Sequence, residues 1–99
     1  MITYPPLTTI RFDISFRRTS DGTLADPTDV LFHMQYEKET PVTYRYSLAQ
    51  VQRSGVGEYY VDFTPNREGQ WKYAWQATGD VQASTLDTIF RVMQSNLID

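Results

Sequence analysis

Residues 57–79 read GEYYVDFTPNREGQWKYAWQATG, and this stretch decides the fold. Large apolar side chains occupy every second position twice over: Tyr59, Val61 and Phe63, then Trp71, Tyr73 and Trp75. A period of two puts alternate side chains on one face of a strand, so each stripe faces a core and its interleaved residues face water. Pro65 and Gly69 bracket the corner between the two strands. This is the pattern of a half-buried antiparallel sheet.

Towards the N-terminus the same alternation recurs. Ile10, Phe12, Ile14 and Phe16 point inward, with Arg11, Asp13, Ser15 and Arg17 outward. Val30, Phe32, Met34 and Tyr36 form a second inward stripe, and VTYRYSL carries Val42, Tyr44, Tyr46 and Leu48 on one face of a third strand. Between them, TSDGTLADPTD is built from turn formers, with Leu24 predicted to pin the loop to the core. Tyr4-Pro5-Pro6 is an extended lead-in or edge, since neither proline can donate to a ladder. A short strand is expected near Val51, with Ser54, Gly55 and Gly57 breaking regular structure after it. Beyond Gly79-Asp80, VQASTLD reads as a linker into a final strand where Thr88, Phe90 and Val92 alternate with Ile89, Arg91 and Met93.

No segment carries a helical period. About seven antiparallel strands at roughly ten-residue spacing predict an all-β sandwich with Greek-key connections. The 99 residues make a single domain, 1–99, with a lead-in over 1–7 and a loose tail over 95–99. The aromatic share of 14% supplies the core bulk that a domain without cysteine cannot replace with disulfides. A net charge of −3 argues against a nucleic-acid partner, whose phosphates need a basic surface. Arg17-Arg18, the adjacent basic pair, reads as a solvated strand end. No apolar run approaches a membrane span, and MITYPPLTTIRF lacks the charged and apolar regions of a secretory signal.

The residues do not assemble a catalytic, metal or cofactor site. His33, the single histidine, lies on an outward register and reads as a solvated surface residue, with no nucleophile elbow to serve. Asp21, Asp26 and Asp29 share a loop but lack calcium-ligand spacing, and turn chemistry accounts for them. Asp62, Asp80 and Asp87 form no recognisable acid–base pair. Core-facing parity makes Trp71, Tyr73 and Trp75 packing residues, which leaves Tyr44, Tyr46 and Tyr60 as the aromatics open to sugar stacking.

The spacing G-x-Y-x-V-x-F-T-P-x3-G-x-W-x-Y, at Gly57 to Tyr73, resembles the last strands of immunoglobulin-like domains, the filamin-like branch above all. Trp71 stands where those domains place a corner tyrosine, and its indole N–H can bond back to the corner backbone as the phenol does. The core cysteines of antibody-type domains are absent, and Phe32 or Met34 takes the place of their strand-C tryptophan. Asp26-Pro27-Thr28, Gly57 to Pro65, Gly69 to Trp75, Thr78-Gly79 and Phe90 to Val92 together resemble small stand-alone immunoglobulin-like proteins encoded among tailed-phage structural genes. That resemblance implies a non-enzymatic virion accessory protein: capsid decoration, neck or tail-associated subunit. Its partners would be other virion proteins and itself as a homo-oligomer, and it would be made in the host bacterial cytoplasm without a signal peptide.

An immunoglobulin-like topology would set Leu31, Ala74, Ile89 and Met93 side by side on one outer sheet face, around His33, Gln76 and Arg91. Those seven residues are the candidate assembly surface. The alternative is a carbohydrate-binding or adhesion module that meets a host glycan through Tyr44, Tyr46 and Tyr60.

Overall fold

The computed structural model describes residues 2–4, 7–18, 20–79, 83–84 and 87–93. The chain forms strands β1 (Ile2–Tyr4), β2 (Ile10–Ser15), β3 (Asp29–Tyr36), β4 (Val42–Arg45), β5 (Gln52–Gly55), β6 (Glu58–Phe63), β7 (Gly69–Thr78), β8 (Ala83–Ser84) and β9 (Thr88–Val92). A 3-10 turn at Tyr46–Leu48 is the one helical element among the described residues. The larger sheet runs β1-β9-β7-β3-β4, with β8 also paired to β7, and the smaller runs β2-β6-β5. All pairings are antiparallel except β1 with β9.

The two stripes read from residues 57–79 thus belong to different sheets, and they meet across the interior. Tyr59, Val61, Trp71 and Trp75 are buried, as are Phe12, Val30, Phe32, Met34, Phe90 and Val92. Phe12 of the smaller sheet seats its ring on three rings of the larger: Tyr73 at 4.6 Å, Phe32 at 5.4 Å and Phe90 at 5.5 Å. Such interlocked rings are what fill a small core at crystal-like density.

The corner is latched by side chains reaching back to its backbone. Trp71 Nε1 donates to the Arg67 carbonyl at 3.3 Å, as its position predicted, and Tyr36 Oη donates to the Glu68 carbonyl at 2.5 Å. Gly69 has φ +138°, a backbone conformation that favours glycine, and a Cβ there would also displace Glu37 Oε1 and Tyr36 Oη from 2.6 and 2.8 Å.

Asp26 performs the equivalent service for the smaller sheet. Its Oδ1 accepts from the Gly57 amide at 2.8 Å and Tyr59 Oη at 3.0 Å, while Arg53 binds both oxygens. The bond from Arg53, then that from Gly57, holds the Asp26 carboxyl at about 2. Burial and the same hydrogen bond push the Tyr59 phenol up to about 12. Asp29 accepts from the Ser47 amide and hydroxyl, and Asp21 from those of Thr23. Only Asp21 shows the turn chemistry expected of all three; Asp26 and Asp29 chiefly bind residues 16 to 33 positions away. Leu24 is half-buried and bridges to Arg17, whose Nη1 donates to the Gly22 carbonyl rather than being merely solvated.

Several boundaries differ from the sequence reading. The third strand ends at Arg45, because the Ser47 bonds to Asp29 and the bond from the Arg45 amide to Gln50 Oε1 turn the chain away. Tyr46 then packs edge-on against Tyr59 at 5.2 Å, and Val42 and Leu48 are 53% and 65% exposed rather than inward. The short strand begins after Val51 and includes Ser54 and Gly55, absorbing them through a register irregularity between Arg53 and Gly55. The linker contributes β8, and the lead-in contributes the edge strand β1, so the described residues hold nine strands where about seven were expected. Pro5, Pro6, Asp80 and the 95–99 tail lie outside the described residues.

Candidate contact surfaces

The outer face of the larger sheet holds the seven candidate assembly residues. Registers pair Leu31 with Gln76, His33 with Ala74 and Lys72 with Ile89, and Arg91 follows opposite Gln70. β3, β7 and β9 are neighbours, so the expected adjacency of these positions is present. The surface they form is less apolar than expected. Leu31 is 7% exposed and lies outside the main core cluster, so it offers nothing to a partner. Ala74 is half-buried. Ile89 and Met93 remain open at 40% and 45%, flanking exposed Arg91 near the β1 edge.

His33 is not a freely solvated residue. It is half-buried, with Nδ1 2.9 Å from Thr43 Oγ1 and Nε2 3.2 Å from Gln76 Oε1, a polar rung across β4, β3 and β7. This rung separates Leu31 from Ile89 and divides the anticipated patch. Beside it runs a shallow groove of about 130 Å³ lined by Met34, Gln35, Pro41, Lys72, Tyr73 and Asp87.

The three aromatic alternatives are dispersed. Tyr44 on β4 is half-buried against Phe32, ring centroids 6.2 Å apart. Tyr46 packs on Tyr59. Tyr60, on the outer face of the smaller sheet, is capped by Arg11, whose guanidinium lies 4.0 Å above its ring while binding both oxygens of Asp62. Arg11 thereby holds the Asp62 carboxyl below the usual range. No two of these rings share a stacking platform.

Two further openings were invisible to sequence reasoning, because both lie between sheets. One, of about 190 Å³, sits on the β4 flank among Met34, Tyr36, Val42, Tyr44, Phe63 and Trp71. Arg67 spans it, bound to both Glu39 oxygens at 2.9 and 3.0 Å and lying 3.9 Å over the Tyr36 ring. The other, of about 130 Å³, lies on the β2 flank. Each joins residues tens of positions apart, and no local pattern announces that.

No protein-family model and no curated protein matches the chain. Among solved structures it is similar to one from Bacteroides vulgatus ATCC 8482 described as a "putative glycoside hydrolase". The likeness has a TM-score of 0.57 at 13% identity, covering 98% of this chain and 17% of the other. At that identity it speaks for the fold alone, an all-β sandwich.

Proposed function

We propose that this protein is a non-enzymatic, immunoglobulin-like Greek-key sandwich acting through protein–protein contacts, as an accessory structural subunit of a tailed-phage virion in the capsid decoration, neck or tail. The observation that carries the reading is the exposed pair of Ile89, on β9, and Met93, just past its end. Apolar side chains of that size gain when a partner covers them, and a weak contact repeated around a ring or lattice gains avidity. The strand order supports the fold part of the reading. The chain changes sheets between β1 and β2, between β2 and β3, between β4 and β5, and between β6 and β7, and the three-stranded sheet faces the one built on β3, β7 and β9. The phage part rests on the D-P-T and G-x-Y-x-V-x-F-T-P motifs.

Co-sedimentation with purified particles, alongside size-exclusion chromatography with light scattering, tests the assignment. Ile89→Glu is expected to abolish association while leaving the thermal midpoint nearly unchanged, since the side chain is half in water already. Association that survives the substitution removes this surface from consideration.

A glycan-binding reading draws on one observation, the likeness to a segment of a longer chain described as a "putative glycoside hydrolase". Titration with oligosaccharides while following tyrosine and tryptophan emission separates the two. Quenching that Tyr44→Ala and Tyr46→Ala abolish favours the glycan, and an unchanged spectrum leaves the assembly reading alone.

A further inference from the structure

The two sheets do not match in width. On the side away from β6, β2 has no strand partner among the described residues, while the opposing sheet continues past β7 through β9 and β1. Between that edge and the floor lies the 130 Å³ cleft, lined by Tyr4, Ile10, Phe12, Tyr73 and Phe90. A ring floor is present and the strand that would roof it is missing.

The backbone at this edge is set for pairing. The Phe16 amide donates to the Gly57 carbonyl at 2.8 Å, on the β6 side. Alternate residues of an antiparallel strand direct their N–H and C=O groups to opposite sides, so the even-numbered residues of β2 bond β6. Arg11, Asp13 and Ser15 therefore turn their amides and carbonyls to the open side. The same three residues place their side chains on the outer face, opposite Asp62, Tyr60 and Glu58.

Charge then distinguishes the two central positions. Arg11 is already held by both oxygens of Asp62 and stacked on Tyr60. Asp13 is exposed and makes no hydrogen bond or ion pair among the described residues, Arg11 reaching it only through longer-range attraction between the two charges. A strand laid along β2 would set one residue directly across from Asp13, where a cation is favoured and an anion is not.

We propose that the free edge of β2 receives an extended segment of a partner protein as a fourth strand of the smaller sheet. The segment presents a lysine or arginine across from Asp13 and flanking aliphatic side chains to the Tyr4–Phe90 floor. The larger sheet continues past β7 through β9 and β1 on this side, and a single extended strand added about 4.8 Å from β2 would lie over that floor. Main-chain bonds supply the affinity, and the alternate side chains supply the selection. Ile89 borders both this cleft and the outer-face patch, so Asp13, on the opposite sheet, is the position that tells the two apart.

The probe is a short peptide alternating valine and threonine with one central lysine, beside its glutamate counterpart, read by amide hydrogen exchange and calorimetry. The amides of Arg11, Asp13 and Ser15 are expected to exchange freely in the protein alone and to become protected with the lysine peptide. Asp13→Lys is expected to weaken the lysine peptide by about tenfold and to reverse the preference towards glutamate. Protection of those amides before any peptide is added overturns the proposal, as does peptide protection falling on Val42–Arg45, or an Asp13→Lys protein that keeps the original preference. Peptide binding at β2 by a protein that never associates with particles overturns only the virion reading. Particle association that Ile89→Glu abolishes, with no peptide bound at β2, overturns only this one.

Discussion

The two flanks of the sandwich use the same three chemistries and end in opposite states. On the β4 flank, Arg67, Glu39 and Tyr36 combine a two-pronged ion pair with a cation over a ring. On the β2 side, Arg11, Asp62 and Tyr60 do the same. The difference is where the partners sit. Arg67 and Glu39 belong to two loops on either side of the inter-sheet opening, so their bridge crosses it. Arg11 and Asp62 are register partners on adjacent strands of one sheet, so theirs stays within that sheet and does not bridge the opening, although Arg11 is among the residues that line it. An ion pair closes a cleft only when its ends are anchored on opposite walls, whatever its strength.

The largest expected effect tests whether the strapped flank is part of the core. Trp71 contacts Tyr36 at 4.8 Å, Phe63 at 5.4 Å and Phe90 at 6.2 Å. Trp71→Ala should cost about 3–5 kcal/mol in urea denaturation, a large part of what a domain of this size possesses. A loss below about 1 kcal/mol would mean the β4 flank packs independently of the interior.

Next comes the lower end of the smaller sheet, where Asp26 ties Arg53 of β5, Tyr59 of β6 and the Gly57 turn together. Asp26→Ala strands the Gly57 amide and the Tyr59 hydroxyl and should cost about 1–2 kcal/mol. The Asp26 carboxyl falls to about 2 in the folded state from an ordinary value of 3.8. Its ionised form is the one the fold favours, so its contribution is complete above 3.8 and is lost as the pH falls through about 2. The stability difference between wild type and Asp26→Ala should therefore narrow over that window, and a difference constant with pH would show the carboxylate's charge to be irrelevant. Tyr59 gives the opposite sign at the alkaline end. Its raised phenol adds stability that is complete below 10.0 and is lost as the pH rises through about 12.

The smallest effect sharpens the comparison most. Arg67→Ala and Arg11→Ala each remove an exposed ion pair and should scarcely move the unfolding midpoint. Only Arg67→Ala uncovers the cleft that contains Trp71, so it alone should raise acrylamide quenching of tryptophan emission. Equal quenching in both variants would mean that Arg67 does not control access.

Much of this architecture is legible in single segments. The stripes at Tyr59–Phe63 and Trp71–Trp75, the corner at Pro65–Gly69 and the Asp-Pro turn each follow from side-chain alternation or backbone stereochemistry, which act over a few residues. The bond from Trp71 to the corner was expected from the resemblance to immunoglobulin-like domains, and its partner lies four positions away. Misjudged positions depend on distant neighbours. Leu31 has outward parity yet is buried, Tyr46 leaves its strand because Asp29 captures Ser47, and His33 is held by residues ten and forty-three positions away.

The alternating pattern by itself determined that the chain is all-β, most of the side chains that fill the interior, and where the main turns fall, because strand periodicity and turn stereochemistry are local. Only the tertiary structure decided that, among the described residues, one sheet has three strands and the other six, which edge of β2 is left without a partner, and which flank an arginine bridges. Those outcomes depend on pairings such as Arg11 with Asp62 and Arg67 with Glu39, separated by 51 and 28 residues. No short-range property of the chain encodes a contact that exists only after the sheets have closed.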